Sequence, residues 1–331
     1  MAFNRLCIRA ALSCTFALAA AAGSAQAPLT APTLLTAHPP LSVPGGPGGF
    51  DWMLTDQGQH RLYAGHGGTK TLMVLDLRTE TIRQIAAGDV SGAVVDQKDG
   101  KVFAGCGDQK IVVLDGKTLA KTGEISLPGP VDDMKLDPKN GRLYADHDDG
   151  AEVWVINAQT NTLVGTIPVA GAPEEMVYDA AADKLYQNIK PADSLDVINP
   201  ATNKITAVWS TAPAKSPHGL VLDPATGRLF SAGGNGMLVV LDRKTGKVIS
   251  SVAIAPGTDQ IAFDPSRQRI YCTGRGFISV VQETAAGARL LGEVPAPRGA
   301  HTLAVDTATG AVWVSYSNAS GSYLEKFTSS K

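Results

Sequence analysis

Cysteine is scarce: the 331 residues hold four, and two of them, Cys7 and Cys14, fall within the first 27. No disulfide framework is therefore expected. Cys106 and Cys272 stand too far apart around the repeats described below to be bridged, and read as packed thiols. No apolar run after the amino terminus approaches the length of a membrane span. An excess of basic charge is also missing, so a nucleic-acid partner is not expected. The motifs of several common chemistries are absent as well: no G-x-S-x-G elbow, P-loop, dinucleotide fingerprint or C-x-x-C-H haem attachment. Gly65-His66-Gly67-Gly68 and Gly233-Gly234-Asn235-Gly236 are glycine-rich but lead into no helix, and read as tight loops between strands.

The amino terminus carries an export pattern. Arg5 and Arg9 precede an Ala/Leu-rich stretch, and Ala25-Gln26-Ala27 supplies a small-residue cleavage site. Residues 1–27 are expected to be a signal peptide and 28–331 a single domain. Ala11-Leu12-Ser13 before Cys14 fits a lipid-attachment box poorly, so plain secretion, to the periplasm or beyond, is the expectation. Without Arg5 and Arg9, 27 basic residues face 31 acidic ones, a net of −4.

What fills the remaining chain is repetition. An apolar run ends on Asp96, Asp137, Asp179, Asp223, Asp264 and Asp306, with Thr55 taken as the first of the series, at spacings of 41, 41, 42, 44, 41 and 42. An aromatic follows seven or eight residues later: Tyr63, Phe103, Tyr144, Tyr186, Phe230, Tyr271 and Trp313. About 43 residues per unit, holding several short strands divided by turn residues, is the size of one four-stranded propeller blade. The fold class expected is all-β, a seven-bladed β-propeller. The recurring aromatics read as packing between blades. The inner runs, such as Ile261-Ala262-Phe263, are continuously apolar and read as strands covered on both faces, with Lys135 the charged exception. The last unit ends one strand short, at Phe327. The segment from Leu34 to Val43 resembles the fourth strands elsewhere, and is expected to complete the seventh blade and close the ring.

Leu222-Asp223-Pro224-Ala225-Thr226-Gly227-Arg228-Leu229-Phe230 and Leu136-Asp137-Pro138-Lys139-Asn140-Gly141-Arg142-Leu143-Tyr144 resemble the YVTN type of propeller repeat. So do the third-strand endings Val155-Ile156-Asn157 and Val240-Leu241-Asp242, each leading to a threonine turn. Nearly the whole mature chain is similar to the YncE-like periplasmic propellers. That resemblance implies a fold and brings no catalytic motif with it.

Five residues before each repeat's end, where the inner strand starts, stand Phe50, Ser91, Asp132, Glu174, His218, Asp259 and His301. The adjoining positions add Asp51, Asp133, Glu175, Gln260 and Thr302, and the spacing leaves open which set faces the axis. Loops joining second and third strands add His66, His147 and Cys106 to the same face. Carboxylate and imidazole together suit zinc or manganese, and oxygen-rich subsets suit calcium or magnesium. Glu174, His218, Asp259 and His301 are the candidate metal ligands. His218 and His301 are the candidate catalytic bases. Asp132, Glu174, Asp259, His66 and His147 are the candidate ligand contacts. The leading expectation is a monomeric exported propeller that binds a small molecule, peptide or protein at this mouth. One alternative is a divalent-metal-assisted hydrolase or lyase of lactonase type, similar in broad architecture to lactonases and the streptogramin lyase. The other is a scaffold that works through its outer faces.

Overall fold

A computed structural model describes residues 33–329, so the leader at 1–27 and the domain boundary at 28 lie outside the described residues. Seven antiparallel sheets stand around one axis, the first six built of four consecutive strands each. The third blade is representative, with strands Val131–Asp137, Arg142–His147, Glu152–Asn157 and Thr162–Pro168. The seventh blade takes three strands, Leu303–Asp306, Ala311–Asn318 and Gly321–Ser329, from the carboxyl-terminal end. Its outer edge comes from the other end of the chain. Leu35–Ala37 and Leu41–Val43 both pair antiparallel with Gly321–Ser329, from Leu35 opposite Ser329 to Val43 opposite Ser322. The ring is thus closed by an amino-terminal segment, and the last sheet gains the strand it lacked.

Residue type follows position within a blade. Third strands such as Lys110–Asp115 are buried through Ile111, Val112, Val113 and Leu114, because neighbouring blades cover both their faces. Outer strands such as Lys204–Ser210 alternate exposed and half-buried, with one face in water. The innermost strands depart from the expectation of two covered faces. Ala262 and Phe263 are only half-buried, because one side of these strands lines the central channel.

Packing runs between blades rather than within them. There are seven apolar clusters among the described residues, each joining two adjacent blades. The recurring aromatics sit at their hearts: Tyr63, Phe103, Tyr144, Tyr186, Phe230, Tyr271 and Trp313 are all at most 2% exposed. At about 2 kcal/mol or more for each large buried apolar side chain, these seams dominate the cohesion of the ring.

The first repeat needs a correction. Asp56, not Thr55, ends its inner strand, since Asp56 pairs with Arg61 as Asp96 pairs with Lys101 and Asp137 with Arg142. A carboxylate at this point closes the turn that follows. Asp96 accepts the Lys98 and Asp99 amides, Asp137 those of Lys139 and Asn140, and Asp56 that of Gln59. Thr55 instead donates its hydroxyl to the Val305 carbonyl of the seventh blade. Shifting the first repeat by one residue also makes Asp51, not Phe50, the equivalent of Asp132 and His218.

Candidate functional site

Inner strands start at one end of the channel, and their first side chains meet there. Asp51, Asp132, Glu174, His218, Asp259 and His301, from six different blades, line one cavity of about 410 Å³. The second blade has Ser91 at this position, and its hydroxyl donates to the Val131 carbonyl instead. Trp52, Asp148 and Lys190 complete the polar wall. The cavity therefore holds five carboxylates and two imidazoles against one ammonium.

The adjoining set of residues faces inward and does structural work. Asp133 accepts the Met176 amide of the next blade at 2.9 Å, and Glu175 accepts the Leu220 amide of the one after at 2.7 Å. Gln260 holds both backbone groups of Met53, accepting from its amide and donating to its carbonyl. Thr302 meets Ser315 within its own blade. Side chains alternate along a strand, so one register position lines the mouth and the next ties the blades together below it.

Two of the expected histidines belong to the mouth and two do not. His66 is fully buried, stacked on Phe50 with ring centroids 4.1 Å apart and hydrogen-bonded to Ser322, Thr69 and Gln84. It packs at the seam where the chain ends meet, and burial pushes its pKa down. His147 stacks on Trp154 at 4.8 Å. Gly129 and Gly150 press on the same ring, each so closely that a Cβ there would come within 2.3 and 2.1 Å of it. Asp148, one residue beyond His147, points into the mouth in its place, as Lys190 does one residue beyond Ile189. Cys106 is buried with its thiol pushed up to about 12 by burial, so it offers no nucleophile. Cys272 is likewise buried and unbridged.

The geometry of the remaining groups is specific. His218 Nδ1 lies 2.7 Å from the Ser216 carbonyl, which can only accept, so Nδ1 carries the proton. Nε2 is then the bare nitrogen in the neutral ring, and it faces Glu174 Oε1 at 3.8 Å. His301 Nδ1 lies 2.9 Å from Asp259 Oδ2, and this hydrogen bond holds its pKa above the ordinary value. Lys190 forms an ion pair with Glu174. Trp52 donates its indole N–H to Asp132 at 2.6 Å.

Crowding of buried carboxylates disfavours their charged forms. Asp51 is pushed up to about 8, chiefly by burial and then by the charge of Asp259. Asp132 is raised well above the carboxylate range by burial, then by Asp146 and Asp51. Burial also raises Glu174, against the opposing pull of His218 and Lys190. Asp146 sits beneath the mouth, accepting the Asp133 amide at 2.6 Å, and burial raises it too. The mouth is an electron-rich basin short of positive charge.

One ligand atom each from Glu174, His218 and Asp259 can be chosen so that all lie within 4.8 Å of one another. Ligands of a tetrahedral zinc at about 2.0–2.1 Å stand roughly 3.4 Å apart, so a closing movement of about 1 Å would seat an ion. The donor set of two carboxylates and one imidazole suits zinc or manganese.

No family model matches the chain, and no curated protein matches it. Among solved structures it is similar to a chain of the crystal structure of the mitotic checkpoint complex, with TM-score 0.78, 12% identity, and 96% of this chain and 99% of that one covered. It is also similar to hydrazine synthase of Kuenenia stuttgartiensis, with TM-score 0.72, 12% identity, and 87% and 97% covered. Both likenesses are to β-propellers, and at this identity they show the fold alone.

Proposed function

We propose that this protein is an exported binding propeller that uses its acid- and histidine-lined mouth to hold a ligand bearing positive charge. The observation that carries the reading is the charge imbalance of one 410 Å³ cavity, with five carboxylates and a single lysine among its lining residues. An incoming ammonium or guanidinium group would take the place that Lys190 holds on Glu174, and would let the protonated carboxyls around it ionise. Trp52, on the same wall, holds Asp132 in place through its indole N–H. The ligand class is a small molecule or peptide with a cationic group, and no nucleic acid. Residence in the periplasm, a monomeric state and kinship with the YncE-like YVTN propellers belong to the same proposal, supported by the export pattern and the repeat wording.

Spermidine titration followed by tryptophan fluorescence tests the binding. Saturable binding is expected in the wild type, with a loss of at least about tenfold in an Asp132→Asn/Asp259→Asn variant. No saturable signal, or equal binding by the variant, would rule the reading out.

The grouping of Glu174, His218 and Asp259 favours a second reading, metal-assisted hydrolysis or lysis. These three residues would hold the ion, and a bound divalent metal supplies a Lewis acid and water of lowered pKa. His301, held by Asp259, would then be the nearby base. Stoichiometric zinc binding that disappears in a His218→Ala/His301→Ala variant separates this reading from organic-cation binding.

A further inference from the structure

The two ends of the channel differ in chemistry. At the end opposite the mouth, where inner strands finish, a cavity of about 860 Å³ is lined by six of the seven inner strands. Its wall is apolar: Leu54, Leu136, Val177, Leu222, Phe263 and Val305 face it. A channel opening that serves only as a wet hole would carry polar side chains there, because half-exposed apolar surface costs free energy in water. A second cavity of about 550 Å³ adjoins it along the second blade, sharing Met53, Leu54, Thr55, Lys135 and Gln260.

The floor of this chamber is the polar layer that separates it from the mouth. Gln260 is occupied on both its amide groups by Met53. Asp179, at the rim, is engaged by Arg243 at 2.7 Å and by two turn amides. Glu175 accepts the Leu220 amide, and burial pushes it up to about 8 against the opposing pull of Lys135. That leaves Lys135. Its ammonium is hydrogen-bonded to one carboxylate, Asp133, at 3.3 and 3.4 Å, which is long for an ion pair, with Glu175 and Asp146 as more distant negative neighbours. Its side chain keeps 30% exposure, and it lines both cavities, so that exposure opens into the chamber. Asp133 has the Met176 amide as a second partner and does not depend on the lysine alone.

We infer that this chamber is a second ligand site, separate from the mouth, for an amphiphile with an apolar body and an anionic or acceptor-rich head group placed on Lys135. Size agrees, since ligand cavities run from about 300 to 1,000 Å³. Charge agrees too, because Lys135 is the one cationic side chain among the described residues that line the chamber, and it keeps part of its surface open there. The site needs no occupant in the mouth and stands or falls independently of it.

Two probes test the assignment: 1-anilinonaphthalene-8-sulfonate, read by its fluorescence, and dodecanoate as competitor. One saturable, blue-shifted site displaced by dodecanoate is expected in the full chain. Leu222→Asp and Leu136→Glu place a carboxylate on the wall from different blades, and each should weaken the probe by at least about tenfold while keeping a cooperative thermal transition. Two variants are used so that one can be read if the other fails to fold. Lys135→Met should weaken dodecanoate by about tenfold but leave dodecanol competition within about twofold. His218→Ala/His301→Ala should leave both probes unchanged. Absence of saturable binding would mean a water-filled channel and overturn the assignment. So would unchanged binding in a folded wall variant, or equal loss of dodecanoate and dodecanol in Lys135→Met.

Discussion

Asp51 carries the plainest consequence of crowding carboxylates into one cavity. Its pKa in the folded protein lies near 8, above the 3.8 of a free side chain, because burial and Asp259 both oppose its charge. A raised folded pKa means the native state holds the proton more tightly than the unfolded chain does. The stabilisation is complete below about pH 4 and is lost as pH climbs through 8. Asp51→Asn removes this titration. Melting temperatures at pH 5 and pH 8.5 should differ less in the variant than in the wild type, by the equivalent of about 4 kcal/mol. Equal differences would show that Asp51 is ionised across the range. Asp51 is hard to assign from sequence because the end of the first repeat's inner strand is ambiguous there. The first repeat offers Thr55 and Asp56 side by side, and only the pairing of Asp56 with Arg61 settles the register. Adjacent residues on a strand face opposite ways, so a slip of one position exchanges Phe50 for Asp51. The same alternation separates His147, packed on Trp154, from Asp148 in the mouth.

Strands were easier to read than their faces. Turn residues and apolar runs mark each blade, and the aromatics found between blades were legible because they recur with the repeat. The innermost strands were not: a continuous apolar run such as Ile261-Ala262-Phe263 looks the same whether a blade or a channel covers it. The closing segment was legible because the last repeat ends one strand short. Leu35–Ala37 and Leu41–Val43 bury Leu35 and Val43 against the seventh blade and cover an edge that would otherwise be open. Removing residues 33–44 should cost about 5 kcal/mol from lost apolar burial and ladder hydrogen bonds, a fall of roughly 10 °C or more in melting temperature. An unchanged melting temperature would mean that the ring holds without this clasp.

At the scale of the molecule, seven apolar seams fix the blades and thereby bring together side chains from six of them. Asp132, Glu174, His218, Asp259 and His301 lie about 42 residues apart in sequence, and their convergence follows from the repeat alone. Repeat length could not show how they interact. The proton on His218 Nδ1, the ion pair of Lys190 with Glu174 and the raised pKa of Asp51 depend on distances that arise only when the ring closes. The resulting channel carries acid at one end and an apolar wall at the other, with Asp133, Lys135, Glu175 and Gln260 between them.

Protonated carboxyls waiting for a cation leave a signature that binding alone would not. Calorimetric titration of the full chain with spermidine at pH 7, in two buffers of different ionisation enthalpy, counts the protons exchanged. The account predicts saturable binding that releases about one proton per ligand, as Asp51 and its neighbours ionise against the incoming charge. Binding with no proton release, or no binding at all, would contradict it.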